Sequence, residues 1–175
     1  VREKTTGRAQ YIADMSRPGM LHGAILQSPY AHARILSYDV SEALAMPGVV
    51  DVLTGDDLGD GRMGAFIKDE HAIAKHKVRY VGEPVAAVAA ETETIARRAA
   101  RLIQIEYEEL AAVLTPDEGL ADDAPIIHED LEDYIKVFPA VCGGNLVSRT
   151  ELSQGDLDKG FAEADFIVEG TYETP

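Results

Sequence analysis

Hydrophobic and polar positions alternate most legibly between Val78 and Leu110. Val85 to Ala90 is an unbroken run of small apolar residues, the pattern of a strand covered on both faces. From Thr92 the period changes. Ile95, Ala96, Ala99, Leu102 and Ile103 fall on one helical face, while Glu93, Arg97, Arg98 and Arg101 fall on the other. Thr92 is placed to cap this helix, Glu93 meets its positive end, and the arginines gather toward its negative end. The period then returns to two, with Ile103, Ile105 and Tyr107 alternating with Gln104, Glu106 and Glu108. The stretch reads as strand, helix, strand.

A second unit of this kind precedes it. Leu36, Tyr38 and Val40 alternate with Ser37 and Asp39; Ser41 then caps a short helix through Met46, broken by Pro47-Gly48, and a strand follows from Val49 to Leu53. Upstream, Met20 to Gln27 reads as a strand closed by Ser28-Pro29. Gly55 to Lys77 reads as a loop excursion. Thr115 to Asn145, carrying Pro116, Pro125 and Pro139, reads as an extended connection lying against other parts of the protein. Asp156 is placed to cap a helix through Glu163, and Phe166, Val168 and Tyr172 alternate as a final strand running to Pro175. The expected division is a domain over 1–145 and a connecting segment with a final strand over 146–175. Because the chain opens at Val1, not Met, it reads as a piece of a longer protein.

Charge narrows the partners. The 175 residues carry 16 Lys and Arg against 31 Asp and Glu, a net charge of −15. Such a surface repels phosphate backbones and anionic headgroups, so neither nucleic acid nor a membrane is an expected partner. No apolar run reaches the ~18 residues of a membrane span. The single cysteine, Cys142, excludes an internal disulfide or a cysteine-built metal cluster within this sequence, and fits a reducing, cytoplasmic setting.

Candidate chemistry is sparse. Gly59, Gly61 and Gly64 spell GxGxxG, but Asp56, Asp57 and Asp60 crowd it and no helix follows, so a flexible acidic loop is the better reading than a dinucleotide site. His22, His32, His71, His76 and His128 show no metal-ligand spacing, and the aspartates lack the calcium-loop pattern. Cys142, before Gly143-Gly144-Asn145, has no local base to activate it. Gly82-Glu83-Pro84 reads as a polar turn that directs the strand after it, with no catalytic role for Glu83. No residue is assigned a catalytic, cofactor-binding or metal-binding role.

Four segments together carry a resemblance: Gly7 to Met15 (GRAQYIADM), Pro18 to Leu58 with its Ser-Pro-x-Ala-His-Ala-Arg turn over Ser28 to Arg34, Val78 to Leu110 with VRYVGEPVAAVAAE, and Gly155 to Thr174. They are similar to the large subunit of the aldehyde oxidase, xanthine dehydrogenase and carbon monoxide dehydrogenase family, in its N-terminal α/β-hammerhead domain. Ala111 departs from the family, which usually has proline there. The resemblance implies an α+β fold, a mixed sheet with two main helices packed on it and a protruding hammerhead of strands. It further implies a scaffold and docking domain of a molybdenum-dependent hydroxylase, an oxidoreductase whose molybdenum–pterin cofactor and catalytic glutamate belong to sequence beyond this chain. The expected partners are a downstream molybdopterin-binding domain, 2Fe-2S and FAD domains or subunits, and further copies in a homo-oligomer. A free-standing homologue acting in assembly or small-molecule binding is the alternative. A nucleotide-dependent enzyme using the glycine loop, and a metal-binding protein, are weaker rivals.

Overall fold

A computed structural model describes residues 2–137 and 142–172. Its elements are α1 (Arg2–Thr5), β1 (His22–Gln27), β2 (Ala33–Asp39), α2 (Ser41–Leu44), β3 (Val49–Thr54), β4 (Lys77–Val78), β5 (Pro84–Ala90), α3 (Glu93–Ala100), β6 (Gln104–Glu109), α4 (Pro116–Gly119) and α5 (Leu157–Ala162). The α+β class holds. The strands, however, form two three-stranded sheets, ordered β1-β5-β3 and β4-β2-β6, and every strand pair is antiparallel. The helix-and-sheet architecture that the resemblance implied is thus present, with its described strands arranged as two antiparallel sheets.

The two strand–helix–strand units interlock. The unit β2-α2-β3 starts in the second sheet and ends in the first, while β5-α3-β6 runs the other way. Each helix is therefore a crossover between sheets, and the pairings β2 with β6 and β3 with β5 lock the units together. Side chains explain the order. Strand β5 is central, and Val85, Ala86, Val88 and Ala90 are all buried, as an apolar run without alternation requires. Helix α3 lays Ala96, Ala99 and Ala100 on the first sheet, where small side chains allow close approach, and Thr92 Oγ1 accepts the Ile95 amide at 3.2 Å. One cluster joins Ala43, Val52, Ala86, Val88, Ala99, Ala100 and Ile103; a second joins Ala33, Ala74, Val78 and Val85; Leu26 and Ile105 pack against both.

Three local expectations fail for identifiable reasons. Leu36 is exposed because the register of β2 against β6 shifts between Ile35 and Ser37, a bulge that breaks the alternation there. Ser41 is the first residue of α2 and does not cap it; the Asp39 carboxylate accepts from its amide at 3.0 Å and from its hydroxyl at 2.6 Å. Phe166 to Tyr172 is not a strand, for no described segment pairs with it. The rest of that expected strand, 173–175, and Pro139 of the connection lie outside the described residues. The Asp156 cap is present, accepting from the Lys159 amide at 2.9 Å. Gly48 ends the α2 unit with φ of +87°, and a Cβ there would lie 2.7 Å from Ile95 Cδ1, so glycine lets the two units meet.

Candidate functional site

The connection after β6 folds back over the 55–76 loop, and polar groups hold the two together. Lys77, buried in β4, donates to the Ile127 carbonyl at 2.7 Å and pairs with Glu129 at 2.5 Å. Amides bond across the seam: Lys68 N to Ile135 O at 2.9 Å, and Val137 N to Phe66 O at 2.8 Å. Asn145 ties three backbone points, accepting from the Ile127 amide at 2.9 Å and donating to the Gly119 and Pro125 carbonyls at 3.1 and 2.9 Å. Within the connection, against Arg79, lies a largely apolar cavity of about 430 Å³, whose walls include Val113, Leu120, His128, Leu131 and Leu146. That volume suits a small organic molecule or an apolar side chain.

Among the shifted ionisable groups beside this seam are His128 and Glu83. Burial, then the neighbouring Arg79 charge, pushes the His128 imidazole down to about 4. The ring is therefore neutral near pH 7, packed edge-on against Tyr134 with Nδ1 3.2 Å from the tyrosine hydroxyl. Burial raises the Glu83 carboxyl, while the Arg79 amide and charge oppose that shift. Glu83 Oε2 accepts the Arg79 amide at 2.5 Å, and its carbonyl accepts the Ser28 amide at 2.9 Å. Both bonds brace the turn into β5, which supports the structural reading of this residue. His128 faces the Tyr134 hydroxyl and Glu83 a backbone amide, and no acid–base role is assigned to either.

The remaining candidates are placed as follows. In the glycine loop, Gly64 has φ of +145° and a Cβ would meet the Ile67 carbonyl oxygen at 1.8 Å. Glycine is required there by a close turn of the loop on itself, and no helix follows it as a dinucleotide fingerprint needs. Asp57 accepts from the Thr54 amide and hydroxyl at 2.7 and 2.8 Å, which holds its carboxyl below the usual range, and Asp60 pairs with Lys75 at 2.7 Å. His32 is buried, and its Nδ1 donates to the Ala111 carbonyl at 2.6 Å, securing the position where the family usually has proline. Cys142 packs against Ile67, Leu131 and Tyr134 as a small hydrophobe. Among the described residues, no three His, Cys, Asp or Glu side chains come together to hold a metal ion, and no helix is long and apolar enough to cross a membrane. Asn145 is the residue that sequence reasoning missed. Its one signal was a position after Gly143-Gly144, where the chain must turn.

Comparison with known proteins gives a consistent outcome. The family profile described as "Aldehyde oxidase and xanthine dehydrogenase, a/b hammerhead domain" matches residues 6–111. The chain is 42% identical over 175 residues to a probable xanthine dehydrogenase subunit of Bacillus subtilis (strain 168), covering 99% of this chain and 22% of that protein. It is 39% identical to the nicotinate dehydrogenase large molybdopterin subunit of Eubacterium barkeri, covering 98% of this chain and 38% of that one. Among solved structures, quinoline 2-oxidoreductase from Pseudomonas putida 86 aligns with a TM-score of 0.76 at 39% identity, over 97% of this chain and 21% of that one. The chain thus spans well under half the length of the relatives it matches.

Proposed function

Since the chain belongs to the aldehyde oxidase and xanthine dehydrogenase family and spans its α/β-hammerhead domain, we propose that it is the N-terminal scaffold and docking domain of a molybdenum-dependent hydroxylase. The observation that carries this reading is an open apolar row on the first sheet. Ile25, Ala87 and Leu53 are aligned across β1, β5 and β3 on the face opposite α3. Ile25 is 62% exposed and Leu53 40%. An aligned apolar row across three strands is what a sheet presents to a neighbouring layer. The proposed neighbour is a downstream molybdopterin-binding domain.

In this reading residues 1–145 form the hammerhead domain and 146–175 the connecting segment. Asn145 makes the last side-chain tie to the body, and residues 148–172 are exposed throughout. The molybdenum–pterin cofactor would supply the hydroxylation chemistry when bound. None of its ligands is assigned to this chain in this reading, and no chemical step is routed through the chain's residues. A four-cysteine 2Fe-2S site needs more than the one cysteine present, so iron–sulfur and FAD components would sit on other domains or subunits of a cytoplasmic, homo-oligomeric complex. The alternative, a free-standing small-molecule-binding module, draws its support from the 430 Å³ cavity.

The test is a double charge substitution, Ile25→Glu with Leu53→Glu, in the protein at its natural length. Both side chains are exposed here, so the domain itself tolerates charge. Docking predicts loss of molybdenum content and of turnover by about tenfold or more, as expected when charge is forced into an apolar contact. Normal loading and turnover would refute the docking role, whereas a natural-length protein that carries no molybdenum at all would favour the independent module.

A further inference from the structure

A chain with 31 acidic and 16 basic residues should disperse its cations among its carboxylates. Five of them instead line one cleft of about 240 Å³: Arg34 on β2, Lys77 on β4, Arg79 just beyond it, and Arg62 and Lys75 from the 55–76 loop. Among the described residues, the only carboxylates in the walls are Glu129 and Asp130, so the lining carries an excess of three positive charges before its two histidines are considered.

The cations divide into two groups. Arg34, Lys75 and Lys77 are each paired, with Glu108 at 2.8 Å, Asp60 at 2.7 Å and Glu129 at 2.5 Å. Arg62 and Arg79 have no carboxylate in salt-bridge range among the described residues. Arg79 reaches only carbonyl oxygens, through long contacts to Ile127 at 3.3 Å and Lys77 at 3.4 Å. Arg62 stacks its guanidinium 4.5 Å from the centre of the Tyr134 ring, and its Nη1 is buried without an acceptor. A buried charged donor left unpaired is costly, and two unpaired guanidiniums lining one cleft add repulsion to that cost. An anion in the cleft removes both penalties. Burial, followed by the charge of Arg62, holds His71 below its ordinary value, consistent with a positive field inside the cleft.

We infer that this cleft is an oxyanion site that takes a phosphate group, with Arg62 and Arg79 as its charge-bearing donors. The donors come from two strands and a loop, so they can meet the several oxygens of a tetrahedral oxyanion from more than one side. The volume lies below the ~300 Å³ at which small-molecule pockets begin, so the site takes the group and not a whole dinucleotide. This assignment is independent of the docking role.

Calorimetric titration of the protein at its natural length, at low ionic strength, tests it with inorganic phosphate, phenyl phosphate and succinate as probes. Saturable phosphate binding is expected, weakened about tenfold by Arg62→Met and by Arg79→Met, with Arg62→Lys in between. Phenyl phosphate binding tighter than inorganic phosphate would identify a phosphomonoester as the natural source; the reverse order would identify the free ion. Both orders uphold the assignment. Absence of saturable binding, undiminished binding by the two methionine variants, or succinate binding as tightly as phosphate would overturn it. Should the arginine variants fail to fold, Lys75→Gln carries the test, because its Asp60 partner is 87% exposed and dispensable. It is expected to weaken phosphate about threefold, and unchanged affinity would count against the site.

Discussion

The interlocked sheets and the polar layer folded over them are held by different forces. In the core, Ala86, Val88, Ala99 and Ala100 sit in one buried cluster, so stability comes from non-directional burial shared among many small side chains. In the layer formed by the 55–76 loop and the connection after β6, the apolar cluster is only Ile67, Leu131 and Tyr134. Directional bonds do the rest there. Lys136 Nζ donates to the carbonyls of Leu131, Glu132 and Tyr134, at 3.0, 2.7 and 3.4 Å, and Asn145 joins three further points. Burial couples every neighbour at once, whereas each net hydrogen bond contributes only ~1 kcal/mol and can be lost singly. The core should therefore melt as one unit and the layer should open by parts.

The largest effect expected is in the core. Ala99 is fully buried, and Ala99→Asp places an unpaired carboxylate between α3 and the first sheet, at a cost of about 3–5 kcal/mol. Urea unfolding should show one transition at much lower midpoint, identical by fluorescence and circular dichroism. Ile67→Ala in the layer removes about 2–4 kcal/mol of packing, but its loss should appear as faster hydrogen exchange at the Lys68 and Val137 amides. The Val88 and Ile105 amides should keep their protection. If Ile67→Ala lowered the global midpoint as cooperatively as Ala99→Asp, the two regions would be one folding unit and the contrast would fall.

A smaller effect sharpens the contrast through pH. His128 belongs to the layer, and burial lowers its imidazole to about 4 from an ordinary 6.5. Between those values the unfolded chain binds the proton and the folded one does not, so folding stability falls as pH drops through that window. Allowing for the ring's partial exposure, the loss is on the order of 1–2 kcal/mol. His128→Phe, which keeps an aromatic ring against Tyr134, should flatten the dependence between pH 6.5 and 4. An unchanged slope in that variant would assign the acid sensitivity to other groups.

The same contrast explains what could be read from the sequence. Strands β5 and β6 and helix α3 were legible because each repeats one environment at a fixed period, buried on both faces, wet on one face, or apolar on one stripe. The partition into two sheets was not, since it rests on long-range pairs such as Arg34 with Glu108, 74 positions apart. A period cannot report which distant strand lies alongside. Leu36 shows the converse, where a bulge cancels a pattern that is present in the sequence. The layer left little trace beyond the prolines that mark 115–145 as a connection lying against the rest of the molecule. One amide side chain bonding three backbone groups has no period, and neither do Arg62 and Arg79 converging on a cleft from separate segments. Absence of assigned chemistry in the sequence followed from the same blindness, because the basic cleft is a property of the fold and not of any motif.

The smallest expected effect compares one device in both regions. Thr92 Oγ1 accepts the Ile95 amide at 3.2 Å to cap α3, and Thr115 Oγ1 accepts the Glu118 amide at 3.3 Å to cap α4. The bonds are alike, but the helices are not. Helix α3 has eight residues, three of them buried in the core, so fraying its first turn strains packing that the whole molecule shares. Helix α4 has four residues and buries none, and Glu118 Oε2 already accepts the Leu114 amide at 3.0 Å as a second tie. Thr92→Ala should thus cost about 1 kcal/mol of global stability, and Thr115→Ala less than about half of that, seen only as local exchange in the layer. Equal shifts of the urea midpoint would mean that α4 is part of the cooperative core, and that the connection is fastened to it by more than its hydrogen bonds.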